Sequence, residues 1–419
     1  MNHRERLAAA LAHRQPDAIP IDFGSTAVTG IHVSVVAALR DHYGLDRHPV
    51  KVNEPYQMLG EVEADLAAAI GIDTIGVIPR INMLGFANER WKPWRTPWGQ
   101  DVLIGGDFIT SNAADGSLLS HPENDATAAP SAHMPNGGFF FDTIIRQQPI
   151  IEERLDPKDN CEEFTAISQA DLDYFAGEVK AAAATGRAVV ATFGGTALGD
   201  IALIPAPFMK NPKGIRDIQE WYMSTASRQD YVTAMFARQT EVALANLARI
   251  HAAVGDTVQA VFTCGTDFGT QRGPFCSTRT FATLWQPWYR IINDWIHAHT
   301  QWKVFKHSCG GVRPFLGNFI DSGMDILNPV QCSAAGMDAG ELKKAVGDKL
   351  VFWGGCVDTQ KTLPFGTPAE VREQVLRRCE IFSPQGGFVF NAIHNVQART
   401  PVANVVAMLD AVKYFNGQH

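Results

Sequence analysis

His307 and Cys309 stand two positions apart in the run His307-Ser308-Cys309-Gly310-Gly311. In an extended segment alternate side chains point the same way, so an imidazole and a thiol share one face. Zinc accepts both, and a catalytic zinc takes three protein ligands and keeps a fourth position open. Two further side chains compete for the third place: His394, in Asn391-Ala392-Ile393-His394, and Cys356, in Gly354-Gly355-Cys356. Asp267, in Cys264-Gly265-Thr266-Asp267, offers an oxygen ligand or a carboxylate that orients a ligand histidine. It reads equally well as a turn former ahead of Gly269. A lone histidine at a strand end is commonly a hydrogen-bonded structural residue, so the metal reading rests on the pair. Cys161, Cys264, Cys276, Cys332 and Cys379 read as small hydrophobes.

These side chains can meet only if the segments carrying them end at one place. Eight short apolar runs have the length and composition of buried strands: Ile19 to Phe23, Thr74 to Ile78, Ala188 to Phe193, Ala260 to Thr263, Val304 to Lys306, Ile326 to Pro329, Leu350 to Trp353 and Phe388 to Phe390. Helical patterns lie between them, among them Tyr56 to Ile70, Tyr231 to His251, Phe281 to His299 and Pro368 to Phe382. Alternation of this kind makes a parallel sheet with crossover helices. Eight units predict a closed (β/α)8 barrel, an α/β TIM barrel forming a single domain over residues 1–419. Trp91 to Ile150 breaks the alternation. Its Gly, Pro, Asn and aromatic content and its Asp115-Gly116 and Asn136-Gly137 turns predict an insertion of hairpins and loops at about residues 86–150, after the second strand. In such a barrel the active site forms at the C-terminal strand ends, where each metal-binding candidate stands. Gly194-Gly195 after the third run reads as a plain turn or as an anion cradle.

Composition excludes several classes. The chain of 419 residues carries a formal charge of −8 and no basic stripe, which argues against a nucleic-acid partner or an anionic membrane surface. Seven cysteines, spread thinly, are no disulfide framework and suit a reducing compartment. No apolar run has the length of a membrane span, and Met1 to Pro16 reads as an amphipathic helix, not a signal peptide. A cytoplasmic protein is the expectation, with a homodimer favoured by base rate.

At the same residues the sequence resembles the uroporphyrinogen decarboxylase-like superfamily, and within it the branch of cobalamin-dependent zinc methyltransferases. The resemblance runs through Arg4-Glu5-Arg6, Pro16-Asp17 and Ile19-Pro20, then Asp267-Phe268-Gly269-Thr270-Gln271 with Gly273-Pro274, His307-Ser308-Cys309-Gly310, and Asp325 through Gln331. It closes with Gly354 through Gln360, Gly366-Thr367-Pro368, and His394-Asn395-Val396-Gln397 leading to Pro401 and Asn404. It implies that His307 and Cys309 bind zinc, and that the third ligand lies after the last strand. There the branch carries a cysteine; this chain has His394, seven residues before Pro401. Cys356, where relatives often carry Asn, could restore a second sulfur. The resemblance further implies methyl transfer between a small methylated substrate, such as a methoxylated aromatic or a methylamine, and a corrinoid. Asp267 would orient a ligand or accept a proton. The chain lacks a corrinoid-binding motif, since Asp46 and His48 are followed by Lys51 where glycine is needed, so cobalamin comes from a corrinoid protein or from solution. The decarboxylase itself grips its substrate with an Arg-Gln-Ala-Gly-Arg-Tyr segment; here the corresponding stretch, Phe23-Gly24-Ser25-Thr26-Ala27-Val28, has no arginine.

Aromatics of the insertion, Trp91, Trp94, Trp98, Phe108 and Phe139 to Phe141, either enclose a substrate or form a small core of their own. Two other classes stay open: a decarboxylase-like or metal-dependent lyase or hydrolase, in which a metal activates water, and a non-catalytic binding barrel with a structural metal.

Overall fold

The computed structural model describes residues 1–418. Its centre is a curled sheet of seven parallel strands. In chain order these are β1 (Thr74–Val77), β2 (Ala188–Ala191), β3 (Val258–Cys264), β4 (Lys303–His307), β5 (Ile326–Asn328), β6 (Val351–Trp353) and β7 (Phe388–Val389). They lie side by side in sequence order, joined by right-sized crossovers that are mostly helical, which is the arrangement that alternating strand and helix patterns demand. Each strand is buried on both faces, so it reads as a continuous apolar run. One face packs into an inner cluster, including Val190, Ala260, Phe305, Ile326, Val351 and Trp353. The other face, including Val189, Val261, Val304 and Phe352, packs against the helical layer.

The first expected strand, Ile19 to Phe23, is reduced to a single parallel bridge between Ile21 and Phe390. Asp22 N and Phe390 N exchange bonds with the β7 end, through Phe390 O and Pro20 O, while Asp73 N donates to Ile21 O on the β1 side. This segment therefore touches both edges of the sheet. The ladder stops there because Ile21 N–H donates to the Asp73 side chain at 2.9 Å instead of to a backbone carbonyl. Asp22, fully buried, accepts from Thr74 Oγ1 of β1 at 2.6 Å and from Trp353 Nε1 of β6 at 2.8 Å.

Helix α1 (His3–Leu11) begins with a capping box between Asn2 and Glu5. Its Leu7 and Leu11 join the inner cluster. Arg4 donates to Arg187 O just before β2, and Arg6 and His3 bond Asp73 just before β1. The helix thus plugs the N-terminal end of the sheet and leaves the C-terminal end free.

Tyr56 to Ile70 is not one helix. Only Ala64–Ile70 is helical, ended by Gly71 in the left-handed conformation. Leu59–Gly60 pairs with Val50–Glu54, and a Cβ on Gly60 would meet Val33 Cα at 3.0 Å, a closeness that the pattern of apolar residues does not reveal. Within residues 86–150 lie the antiparallel pair Lys92–Arg95 and Asp101–Ile104 and a four-stranded antiparallel meander from Thr110–Asn112 to Asp142–Thr143. Val50–Glu54 pairs with Asp101–Ile104, so residues ahead of β1 complete the first of these sheets. The helical run Phe281 to His299 is two helices, Thr278–Leu284 and Gln286–His299, parted at Trp285 ahead of Pro287. Among the described residues no helix is long and apolar enough to cross a membrane.

Asp73 carries the closure of the sheet's N-terminal end. Its carboxylate accepts from Arg6 Nη1 at 2.6 Å, His3 Nδ1 at 2.7 Å and Ile21 N at 2.9 Å while being 2% exposed. Asp73→Ala should lower unfolding free energy by about 2–3 kcal/mol, since it strands a buried amide and one partner of a half-buried guanidinium. Urea unfolding of both proteins checks this, and a loss below about 0.5 kcal/mol contradicts the assigned role.

Candidate metal centre

The C-terminal strand ends carry the functional side chains into one place. Asp267 follows β3 by three residues, His307 ends β4, Cys309 comes two residues later, Asn328 ends β5, and His394 follows β7 by five. The loop from Ser308 to Gly310 is fixed by acceptors on both sides. Ser308 N donates to Asn328 O at 2.7 Å, Cys309 N to Asp267 Oδ1 at 2.6 Å and Gly310 N to Gln331 Oε1 at 2.7 Å. Gly310 has φ +84, and a Cβ there would meet the Gly269 carbonyl carbon at 2.4 Å. Only glycine lets this loop lie on the Asp267–Thr270 loop.

His307, Cys309 and His394 come together: their ligand atoms lie within 4.8 Å of one another. Cys309 Sγ is 3.4 Å from His307 Nε2. Bond lengths of about 2.3 Å to sulfur and about 2.0 Å to nitrogen in a tetrahedral zinc site require about 3.5 Å between the two donors. The donor set therefore fits zinc in type and, for this pair, in spacing. The rings of His307 and His394 are 5.3 Å apart at 80°.

His307 Nδ1 bonds Asn328 Oδ1 at 2.6 Å, and Asn328 Nδ2 donates to Trp353 O, which fixes the amide's orientation. The imidazole thus donates from Nδ1 and presents the bare Nε2 to the cluster. His394 is held differently: Asn395 N donates to His394 Nδ1 at 2.8 Å. Asn395 is itself anchored by Gly30 N, Ala27 O and Gln57 Oε1. Burial pushes His307 down to about 4 and His394 down to about 3, so both rings are neutral at ordinary pH. Burial first, and then the nearby Asp267 carboxylate, raise the Cys309 thiol well above its usual range. A metal captured here displaces that proton. Asp267 is raised by burial, against the pull of the Cys309 N–H, and its Oδ1 is 3.9 Å from His307 Nε2. It is near the cluster without belonging to the three.

Cys356 is not brought to the cluster. Its thiol is fully buried next to Cys379, with Cys332 near, and burial raises it well above its usual range. Gly354 and Gly355, both left-handed at φ +91 and +90, turn the chain back from the mouth before the cysteine is reached.

Three polar residues that the sequence did not single out shape the centre. Asn328 orients His307. Lys306 is fully buried on the opposite face of β4; it donates to Thr266 O and His307 O beneath the rings of Phe268, Tyr289 and Phe319. Asp200, at 9% exposure, lines the cavity above the cluster. That cavity holds about 1200 Å³ and has His307, Asp267 and His394 at its floor. Phe139, Phe140 and Phe141 line it, whereas Trp94 and Phe108 pack on each other and Trp98 packs on His32 and Phe139. The aromatic stretch is thus divided between cavity wall and local core. Gly194 and Gly195 line the cavity as well.

Asn328→Ala frees the His307 ring to rotate and change tautomer. Loss of such a partner typically weakens metal capture by about 10–100-fold. Competition against a chromophoric zinc chelator, with melting temperature measured alongside, checks this; unchanged affinity in a folded variant contradicts it.

Residues 149–415, which hold six of the seven strands, match the uroporphyrinogen decarboxylase (URO-D) family. No curated protein matches the chain significantly. Among solved structures, a methyltransferase from Methanosarcina mazei is similar over 99% of this chain and 99% of its own, with a TM-score of 0.54 and 14% sequence identity. A glycoside hydrolase family 5 enzyme from Prevotella bryantii B14 overlaps 62% of this chain and 80% of its own, at a TM-score of 0.34 and 11% identity, too distant to carry any argument. By the extent of the family match, the chain belongs to the uroporphyrinogen decarboxylase family.

Proposed function

We propose that this chain is a metal-dependent methyltransferase that moves a methyl group between a small methylated substrate and a corrinoid supplied from outside. The observation that carries the reading is the convergence of His307, Cys309 and His394, two of which, His307 and His394, line a large, mostly apolar cavity. A two-nitrogen, one-sulfur set that leaves one side open to a cavity has the form of a catalytic site, not a closed structural one. A solved neighbour of the same fold is a methyltransferase. We read the sheet, with Pro20–Asp22 as its first member, as an eight-membered barrel forming one domain, and residues 86–150 as an insertion that walls the mouth.

When bound, zinc supplies a Lewis acid at the heteroatom that carries the methyl group. The chain's own residues do the rest. Asn328 fixes the His307 ring. Phe139 to Phe141 make one side of the cavity apolar, and polar interactions are stronger in apolar surroundings. Asp267, held by Cys309 N–H, is placed to take or return a proton at a heteroatom resting on the cluster. A porphyrinogen decarboxylase is disfavoured because no Lys or Arg is among the described residues lining the cavity, so nothing there grips carboxylates.

Protein purified without added metal should hold close to one zinc per chain. Cys309→Ala should lose it and lower corrinoid-dependent demethylation at least about 100-fold. Cys356→Ala should keep both metal and activity. Metal analysis and a demethylation assay with and without cob(I)alamin decide the matter: turnover independent of corrinoid, or metal retained in Cys309→Ala, overturns the reading.

A further inference from the structure

The cavity has acidic groups, and its histidines are the metal-site candidates His307 and His394. Glu54, Asp142, Asp200 and Asp267 line it, and among the described lining residues there is neither Lys nor Arg. The nearby cation, Lys306, is turned away into the helical layer and spends its bonds on two carbonyls. Asp200 is the acidic group best placed to read a substrate. It is 9% exposed, its carboxylate accepts from Ala202 N at 2.9 Å and from the Gly265 N–H, and no ion pair to it exists among the described residues. Burial is the main cause that pushes it up to about 6, and nearby Asp267 adds to this. Burial outweighs the Ala202 and Gly265 N–H groups and the charge of Lys306, so the ionised carboxylate is incompletely compensated, which is the condition that a cationic ligand relieves.

A second, separate feature lies behind the same residue. A side chamber of about 180 Å³ shares Gly195, Ala197, Asp200, Leu203 and Phe208 with the main cavity. Gln239 lines it, 2% exposed. Its Nε2 donates to Gly195 O and Ala197 O, and its Oε1 has no hydrogen-bond partner. A buried acceptor left empty costs free energy unless a donor reaches it. Asp200 and Gln239 therefore present an anion and a free acceptor at one junction, and both call for N–H donors. Phe208 and Phe193 also line the cavity, and aromatic rings are compatible with a positive charge beside them.

We propose that the substrate is an amine, cationic at neutral pH, whose ammonium group is received at Asp200 beside the Gln239 chamber while its apolar part lies along the phenylalanine wall. The inference rests on the methyltransferase reading only for the fate of the methyl group; the charge preference concerns binding and is measured separately.

Three probes share one ring and one methoxy group and differ in charge: para-methoxybenzylamine, para-methoxybenzyl alcohol and para-methoxybenzoate. Calorimetric titration of the full-length, metal-replete protein at neutral pH should give at least about tenfold tighter binding of the amine than of the alcohol or the benzoate. Asp200→Asn, which keeps the side-chain shape, should bring the amine to the alcohol's affinity and leave the alcohol unchanged. Equal binding of amine and alcohol by the wild-type protein, or tighter binding of the benzoate, overturns the proposal even if the variant does not fold. An amine preference that persists in a folded Asp200→Asn also overturns the assignment to that carboxylate. An amine preference with no methyl transfer from any substrate retains this inference and removes the methyltransferase reading alone.

Discussion

Parallel pairing of β4 with β5 sets His307 opposite Asn328, and the rest of the centre depends on that register. Two adjacent strands ending at the same height let an imidazole Nδ1 meet an amide oxygen at 2.6 Å. A slip of one residue would turn His307 into the helical layer and bring Lys306 to the mouth. The register is protected by the two cores. Phe305 must stay in the inner cluster and Val304 in the outer one, and each is fully buried. Burial of apolar side chains several residues below the mouth therefore decides which nitrogen of His307 faces the cavity.

The same alternation explains why a buried ammonium is tolerated beneath the site. Lys306 follows Phe305 and precedes His307, so it must face the helical layer. An unpaired charge there would be costly. The Thr266 and His307 carbonyls take two of its donors, and the faces of Phe268, Tyr289 and Phe319 surround it. The Thr266 carbonyl belongs to the loop after β3 and that of His307 to the end of β4. The lysine thus ties together the two segments whose next residues are Asp267 and Ser308, and its charge pulls the Cys309 thiol and the Asp267 carboxyl toward their ionised forms.

Sequence reading located what depends on neighbours along the chain. Buried strands are apolar runs, and seven of the eight expected runs contain sheet strands. His307 and Cys309 share a face because their spacing is two. What depends on distant contacts was hidden. Nothing local distinguishes His394 from Cys356 as companions of that pair; the turn through Gly354 and Gly355 and the anchoring of Asn395 to Gly30, Ala27 and Gln57 separate them in space. The Ile19 to Phe23 run loses its ladder to a side chain, Asp73, lying 52 residues from Ile21. Asp200 and Gln239 carry no motif, and they matter only because a helix and a loop close around one chamber.

His394 differs from the other two donors in a way that bears on how the centre fills. His307 presents a bare Nε2 because its Nδ1 proton is held by Asn328. His394 accepts the Asn395 N–H at Nδ1, so its neutral ring keeps its proton on Nε2. Capture of a cation through Nε2 must move that proton and set two donors against each other at Nδ1; capture through Nδ1 must break the bond to Asn395. A thiolate at this position would face neither conflict. His307 is therefore the donor already poised, whereas Cys309 must lose its proton and His394 must leave a competing hydrogen bond, so a zinc ion bound here would be held less tightly than by the two-sulfur set that the family resemblance implies. Histidine in place of that second sulfur would leave such an ion one unit more positive, which would strengthen its pull on a substrate heteroatom. On the zinc reading, affinity would be exchanged for electrophilicity at a single residue, with the fold that holds the centre unchanged.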